Sequence, residues 1–147
     1  MILVDSNIFM YAAGELHPHK KPSVAWLERV ARGKIDAVVD AEVLQEILHR
    51  YRAIRRWKEG SKVYDKARRL VPVVIPVGVE ILDRARALLD DYPQLIARDA
   101  LHAAVVQEHG LKAICSYDRD FDRVKGVKRI QPPAVGPHCP GPAQVRD

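Results

Sequence analysis

The sequence predicts an α/β fold in which a mostly parallel sheet is covered by helices on both faces. Two observations lead to this prediction. Short apolar runs, typical of buried strands, alternate along the chain with segments whose apolar residues recur at helical spacing. The chain also has 147 residues, of which 48% are hydrophobic and 29% charged, a size and composition that suit one domain with a single core.

Five segments are predicted as strands because they are short and apolar. The first is Ile2–Val4, which ends at Asp5. The other four predicted strands are residues 35–39, 73–77, 113–116 and 127–130. Pro76 has no backbone N–H to donate, so the segment 73–77 is predicted to lie at an edge of the sheet or at a strand end.

Helices are predicted between these strands, at residues 22–32, 41–56, 61–70, 79–89 and 97–108. The helix at 41–56 has the clearest apolar face. At 100° per residue, Glu46 lies roughly 120° from the centre of that face and borders the buried side. Glu42 lies roughly 160° from the same centre and is expected to point to solvent.

The predicted organisation is one domain at residues 1–131 followed by a tail at residues 132–147. Five of the ten prolines fall in the tail, together with Gly136 and Gly141. A segment of this composition does not pack a core, so the tail is predicted to be disordered and receives no functional role.

Membrane insertion and secretion are not predicted from the sequence. No apolar run approaches the roughly 18 residues that a transmembrane helix needs, and the N-terminal residues lack the basic segment of a signal peptide. The cysteines Cys115 and Cys139 fit no C-x-x-C spacing. A cytoplasmic protein without a disulfide framework is therefore expected.

The positive charge of the chain is concentrated in one segment. The net charge is +5, but residues 50–69 alone carry +7, so the remainder carries −2. This segment predicts a surface that binds an anionic partner, with a merely solvated helix face as the alternative. Its first bases are Arg50, Arg52, Arg55 and Arg56. Aromatic residues, at 6%, are too few to indicate base stacking along a long single strand.

The candidate catalytic residues are carboxylates at the ends of predicted elements. Motifs for dinucleotide binding, P-loop nucleotide binding, zinc proteolysis and α/β-hydrolase chemistry are absent from the sequence. Asp5 follows the first strand, Asp118 follows the strand at 113–116, and Asp99 lies in the first turn of the helix at 97–108. Because the carboxyl ends of parallel strands meet at one edge of a sheet, these side chains are predicted to converge there.

Each acid also has an ordinary structural interpretation when it is taken alone. Asp5 could cap a short helix, Asp99 could complement a helix dipole, and Asp118 could belong to a turn. His102 stands among alanines and is interpreted as a core histidine. Several carboxylates in one place, however, cannot all stay ionised without a counter-charge, so either some are protonated or a divalent cation is present. Oxygen ligands without sulfur suit Mg²⁺ or Mn²⁺.

The sequence resembles the PIN-domain proteins, specifically the VapC type of ribonuclease toxin. Four segments carry the resemblance in the expected order: residues 2–7, 42–47, 98–104 and 116–122. Together they extend over roughly residues 1–131. The resemblance implies a PIN-like α/β/α sandwich and Mg²⁺- or Mn²⁺-dependent cleavage of RNA phosphodiester bonds.

The resemblance also implies roles for individual residues. The catalytic and metal-binding acids would be Asp5, Glu46, Asp99 and Asp118. Accessory roles would fall to Asp120, Ser116 and Asn7. The implied partners are the RNA substrate, a VapB-like antitoxin and a second copy of the chain in a homodimer, with Arg50, Arg52, Arg55 and Arg56 binding RNA or the antitoxin.

Two alternative functions remain open at this point. The chain could be a catalytically silent PIN module that binds RNA or a partner protein without cutting. A HAD-like phosphatase also places an Asp after its first strand, but it requires a second Asp two residues later, where this chain has Asn7.

Overall fold

A computed structural model of the protein describes residues 1–136, which form a five-stranded sheet, six helices and a 3₁₀ turn. The strands are β1 (Ile2–Val4), β2 (Ala37–Asp40), β3 (Val74–Ile75), β4 (Ala113–Cys115) and β5 (Arg129–Ile130). The helices are α1 (Ser6–Ala13), α2 (Lys20–Ala31), α3 (Ala41–Ala53), α4 (Trp57–Leu70), α5 (Val79–Asp91) and α6 (Ala97–Glu108), and the 3₁₀ turn is Arg119–Arg123.

The sheet is parallel throughout, with the strand order β3-β2-β1-β4-β5. Strand β1 is central: Leu3 pairs with Val38 of β2 on one side and with Ile114 of β4 on the other. Strand β3 is an outer strand, and Pro76 directly follows it, so the predicted edge position is confirmed.

Helices cover both faces of the sheet. Successive strand residues point to opposite faces, so Leu3 packs with residues of α5 and α6, whereas Val4 packs with residues of α1 to α4. The corresponding residues of β2 and β4 divide in the same way between the two cores. The predicted α/β/α sandwich around a parallel sheet is therefore confirmed.

Helix α1 is an element that the sequence analysis did not include. It follows β1 without a loop, because Asp5 ends the strand and also caps the helix: its Oδ1 accepts a hydrogen bond from Ser6 N at 2.7 Å. The alternative that Asp5 caps a short helix is thus also correct. The apolar run of α1 begins so close to the strand that periodicity alone does not separate the two elements.

The connection between α3 and α4 also differs from the prediction. Helix α3 ends at Ala53 rather than at residue 56, and α4 begins at Trp57 rather than at residue 61. Between them, Arg55 adopts a left-handed backbone with φ of 58°, which reverses the chain direction. Gly60 then packs so closely on Tyr51 that an added Cβ would lie 2.3 Å from the Tyr51 Cβ.

Two further predictions concern membrane-spanning helices and the C-terminal tail. None of the helices within residues 1–136 has the length and apolar character to span a membrane. Residues 132–136 lie outside helices and strands, and the rest of the predicted tail lies outside the described residues.

Candidate metal centre

Side chains with oxygen ligands gather at the carboxyl edge of the sheet. Asp5 follows β1, Asp40 ends β2, and Ser116 follows β4, and these three strands are neighbours. Helices α3 and α6 begin near the same edge and bring Glu46 and Asp99 to it. The convergence arises because all the strands are parallel, so their carboxyl ends meet on one side.

The first of two side-chain clusters is built around Asp5 and Glu46. Candidate ligand atoms of Asp5, Glu46 and His102 lie within 4.8 Å of one another. Ser116 Oγ donates to Asp5 Oδ2 at 2.5 Å, and Ser6 Oγ donates to Glu46 Oε2 at 2.7 Å. Both carboxylates are almost fully buried and are held in place by neighbouring hydroxyls.

The second cluster consists of Asp99, Asp118 and Asp120, whose carboxylate oxygens also lie within 4.8 Å of one another. Asp118 begins the 3₁₀ turn by accepting a hydrogen bond from Asp120 N at 2.9 Å. Its own N–H donates to Ser116 Oγ at 3.0 Å, which links this cluster to the first.

Asn7 is the remaining accessory residue that the sequence singled out. Its Nδ2 donates to Ser116 Oγ at 3.1 Å and to Asp5 Oδ2 at 3.3 Å. The structure thus places the four candidate ligands and the three accessory residues at one edge of the sheet, divided between two adjoining clusters.

The proximity of the carboxylates changes their proton affinities. Burial raises the pKa of Asp99 to about 7, with further increases from the charge and hydrogen bond of Asp118 and from the charge of Asp5. Burial also raises the pKa of Asp5, although the charge of His102 and the hydrogen bond from Ser116 oppose the shift. The site therefore resists carrying all its negative charge unless a cation is present.

The raised pKa of Asp99 predicts that the metal-free protein loses stability as the pH rises. The folded state keeps the Asp99 proton up to about pH 7, whereas the unfolded chain releases it near the ordinary value of 3.8. The stability from this group is complete below the unfolded value and is lost as the pH approaches 7. In EDTA, the free energy of unfolding measured with urea should fall between pH 5 and pH 8 by on the order of 2 kcal/mol more for the wild type than for Asp99→Asn. If the free energy of unfolding changes with pH by the same amount in the two proteins, this prediction is contradicted.

His102 is buried and connects Asp40 with Glu46, whereas the sequence alone indicated only a core histidine. Its Nδ1 bonds to Asp40 Oδ2 at 2.7 Å and its Nε2 bonds to Glu46 Oε1 at 2.5 Å. Burial alone would lower the pKa of His102, but the charges and hydrogen bonds of Asp40 and Glu46 hold that pKa well above its ordinary value. The ring is therefore an imidazolium that donates from both nitrogens.

The same contacts act on Glu46. Burial opposes its ionisation, but the hydrogen bond and charge of His102, with the hydrogen bond from Ser6, lower the pKa of Glu46 overall. Glu46 is thus a fixed carboxylate, held at both oxygens. This agrees with its predicted position at the border of the buried face.

Asp40 is a functional candidate that the sequence analysis missed. Its Oδ1 accepts from Val43 N at 2.9 Å and so caps α3, while its Oδ2 binds His102. The predicted strand ended at residue 39, which left Asp40 in a connection. Its position directly before a strongly periodic helix was the signal that could have identified it.

The prediction for Glu42 was wrong. This residue is half-buried rather than directed to solvent, and burial followed by the charge of Glu46 raises its pKa. Helix α6 packs against α3, and its residues Arg98 and His102 lie near enough to Glu42 for their charges to act on the pKa of that carboxyl.

The predicted basic surface lies mostly away from the carboxylates. Arg50, Arg52, Arg55 and Arg56 are all exposed. Arg50 is one turn beyond Glu46 on α3, or about 6 Å along the axis. Arg52 lies over the Trp57 ring at 6.0 Å, and Arg56 pairs with Glu59 at 2.6 Å, both at the far end of the helix.

The fold and the site together define a class of protein. It is an α/β/α sandwich whose parallel sheet ends in a buried group of carboxylates, an arrangement that fits a divalent cation through oxygen ligands alone. The family model for the PIN domain matches residues 2–127, and the chain therefore belongs to the PIN-domain family.

Within that family the chain is of the VapC type. It is 45% identical over 130 residues to Ribonuclease VapC13 of Mycobacterium tuberculosis, covering 88% of this chain and 99% of the relative. It is also 36% identical over 121 residues to Ribonuclease VapC23 of the same species, covering 80% of this chain and 93% of the relative.

A solved structure supports the same fold. The chain resembles VapBC2 from Rickettsia felis bound to a DNA fragment from its promoter, with a TM-score of 0.70 and 17% identity. The match covers 89% of this chain and 98% of that one. At this identity the similarity is one of fold.

Proposed function

We propose that the protein is a metal-dependent endoribonuclease that cleaves RNA phosphodiester bonds. The observation that carries this proposal is the joining of two carboxylate clusters at the carboxyl edge of a PIN-domain sheet. Relatives as similar as 45% identical are named ribonucleases, which supports RNA as the substrate.

The ligands proposed for the ion are Asp5, Glu46, Asp99 and Asp118. Their oxygens suit Mg²⁺ or Mn²⁺, and a cation among them would offset the crowding of negative charge that contributes to the raised pKa of Asp99. His102 is not proposed as a ligand, because both of its nitrogens donate hydrogen bonds and neither has a free lone pair. When bound, the ion would polarise a phosphoryl oxygen and lower the pKa of water.

The residues around the ligands would keep them in position. Ser116 and Asn7 hold one oxygen of Asp5, while Ser6 and His102 hold one oxygen each of Glu46. Because these partners are themselves buried or half-buried, the carboxylates are set before RNA arrives. Asp120 is proposed as an accessory acid beside Asp118.

The proposal is tested by incubating labelled RNA with the purified protein in Mg²⁺, in Mn²⁺ and in EDTA. Cleavage with either ion and none in EDTA is the expected result. Cleavage that persists in EDTA would overturn the metal-dependent mechanism. RNA binding without cleavage under every condition would favour the catalytically silent PIN module.

The alternative of a HAD-like phosphatase has lost its support. The family match assigns the chain to another fold family. Asn7 occupies the position of the second HAD aspartate and instead bonds to Ser116 and Asp5.

Arg50, Arg52, Arg55 and Arg56 are proposed to contact RNA phosphates or the antitoxin. Replacing Arg52, Arg55 and Arg56 by Gln should weaken RNA binding and reduce the slope of log K against log salt by about 2, since each phosphate contact to a single strand contributes about 0.7. The matched control is the Gln replacement of Arg29, Arg32 and Lys34, exposed bases at the opposite edge of the sheet. An unchanged slope in the first variant would assign its surface to a protein partner.

A VapB-like antitoxin, a homodimer and a cytoplasmic location are further proposals. The structural neighbours support the antitoxin, since one is the VapBC2 assembly and another is a toxin–antitoxin complex from Klebsiella pneumoniae with a TM-score of 0.64 and 18% identity. The latter match covers 92% of this chain and all of that one. Co-purification with the product of a neighbouring gene would identify the antitoxin.

A further inference from the structure

Four aromatic rings form a compact group on the surface beside the carboxylates. This ring cluster consists of Tyr11, His17, His19 and Tyr117. His19 and Tyr117 are stacked, with centroids 3.8 Å apart and planes 10° from parallel. Tyr11 meets both edge-on at 5.0 and 5.4 Å, and His17 lies 4.7 Å from Tyr11 and 4.9 Å from His19.

The ring cluster adjoins the candidate metal centre. Tyr117 stands in the chain between Ser116 and Asp118, whose Cα atoms are each about 3.8 Å from its own. Its backbone N lies 3.5 Å from Asn7 Oδ1, and Tyr11 follows Asn7 by one turn of α1. The Tyr11 and Tyr117 rings of the cluster are thus built on the same two segments, α1 and residues 116–118, that carry Asn7, Ser116 and Asp118.

Hydrogen bonds hold the ring cluster in a fixed arrangement. The Tyr117 hydroxyl lies 2.9 Å from the buried Ser23 Oγ and donates to His19 O at 3.3 Å. His19 N donates to His17 Nδ1 at 3.0 Å. Burial, and then the charge of His17, lowers the pKa of His19, which favours a neutral ring. A preformed group of this kind binds without first losing side-chain freedom.

Part of the ring cluster remains accessible to a ligand. His17 is exposed, and Tyr11, His19 and Tyr117 are half-buried. Lys21, also exposed, is two residues beyond His19 and adds positive charge at this side. The surface thus offers flat rings with a base nearby, next to a centre that is itself acidic.

We propose that the ring cluster is a stacking platform for one nucleobase of the RNA substrate, next to the scissile phosphate. The inference rests on the proposed ribonuclease function. The proposed ion would hold only the scissile phosphate, and the carboxylates repel the phosphates on either side of it, so a base is the group that these rings can hold next to the cut. Aromatic side chains stack on any base, because every base has a flat π face, so removal of a ring weakens binding whatever the sequence. The low aromatic content of the chain excludes stacking along a long strand but not stacking at one position.

The experiment is a double-mutant cycle between the protein and the RNA. The probe is a labelled RNA oligonucleotide containing every dinucleotide step, cut by wild-type protein with Mn²⁺, whose cut position is mapped first. The protein change is Tyr11→Leu with His17→Ala, and the RNA changes are single abasic nucleotides on either side of the cut. The steady-state kcat and KM are measured for every combination.

The expected result is that the protein change raises KM about tenfold, within the range for loss of one stacked base, with a smaller effect on kcat. One abasic position should raise the wild-type KM by a similar factor and add little in the variant, because both changes remove the same contact. Replacing Tyr11 and His17 by Phe should restore the coupling. The control is His109→Ala, an exposed position at the C-terminal end of α6 outside the cluster, which should leave KM unchanged.

Several outcomes would overturn the platform. Unchanged KM values in the protein variant would do so, and so would protein and RNA changes whose effects on KM multiply independently, in both cases with wild-type protein cutting RNA normally. Loss of antitoxin binding in the variant with an unchanged KM would assign the rings to a protein contact. Failure of wild-type protein to cut or bind any RNA would instead overturn the ribonuclease proposal and the platform with it. Since abasic nucleotides leave the protein unaltered, misfolding of a variant cannot imitate the coupling.

Discussion

Replacing Asp5 or Asp99 by Asn is expected to lower the rate of RNA cleavage by about a thousandfold or more. Each change removes one unit of negative charge from the group of oxygens proposed to bind the cation. Charge stabilisation by a catalytic metal amounts to several kcal/mol, and about 4 kcal/mol corresponds to a thousandfold in rate. The measurement is the initial rate of cleavage in Mn²⁺, together with calorimetric titration of the ion into each variant.

The two variants should stay folded, which makes the rate loss interpretable. Asn keeps the shape of Asp, and its side-chain oxygen still caps α1 at position 5. At position 99, loss of the charge removes repulsion from Asp118 and Asp5, so the metal-free variant should be at least as stable as wild type. The matched control is Asp83→Asn, an exposed acid on α5. Full activity in Asp5→Asn or Asp99→Asn would reject the proposed ligand set.

Much of this site could be predicted from local sequence. The strand ends at Asp5 and Asp118 are marked by apolar runs that stop at an acid, and parallel strands place such ends together whatever the details of packing. Asp99 is located by the start of a helix. Glu46 needed only the angle between one side chain and an apolar face, since the structure buries it at that border.

The features that were missed depend on contacts between distant residues. His102 meets Asp40 and Glu46 across 62 and 56 positions, and no spacing rule connects them. A strand boundary placed one residue too early was enough to leave Asp40 out. The ring cluster likewise joins the α1–α2 region to Tyr117, about a hundred residues later in the chain. The exposure of Glu42 was predicted wrongly because its angle around the axis of α3 takes no account of the neighbouring helix α6.

The hydrogen bonds from His102 to Asp40 and Glu46 predict a second large effect, on the stability of the fold. Replacing His102 by Leu is expected to reduce the free energy of unfolding by about 3–5 kcal/mol, the usual cost of removing one partner from a buried ion pair. The side chain is fully buried, and its loss leaves Asp40 and Glu46 without their shared positive partner. For a chain of this size the melting temperature should fall by roughly 10 °C, measured by circular dichroism in EDTA. His49→Leu, at an exposed position on α3, serves as the control and should change it little.

Adding Asp40→Asn to His102→Leu separates the ionic contribution from the loss of packing. Asn still accepts the hydrogen bond from Val43 N, so the cap of α3 survives while the uncompensated charge disappears. The double variant should therefore be more stable than His102→Leu alone, even though Asp40→Asn by itself destabilises the wild type. A coupling free energy of about 1 kcal/mol or more is expected. Additive effects of the two changes would show that His102 stabilises the fold only by filling space.

The same substitution should weaken catalysis through one of the four proposed metal ligands, Glu46, because His102 contacts that ligand directly. In wild-type protein, His102 fixes one oxygen of Glu46 and Ser6 fixes the other. Without His102, Glu46 keeps a single partner and is free to rotate, and loss of such an orienting contact lowers metal affinity or activity by about 10- to 100-fold. Asp40→Asn added to His102→Leu should recover part of the stability but not this activity, because it returns no partner to Glu46. Recovery of both properties together would place the effect of His102 in folding alone, whereas recovery of stability alone identifies it as the residue that positions Glu46.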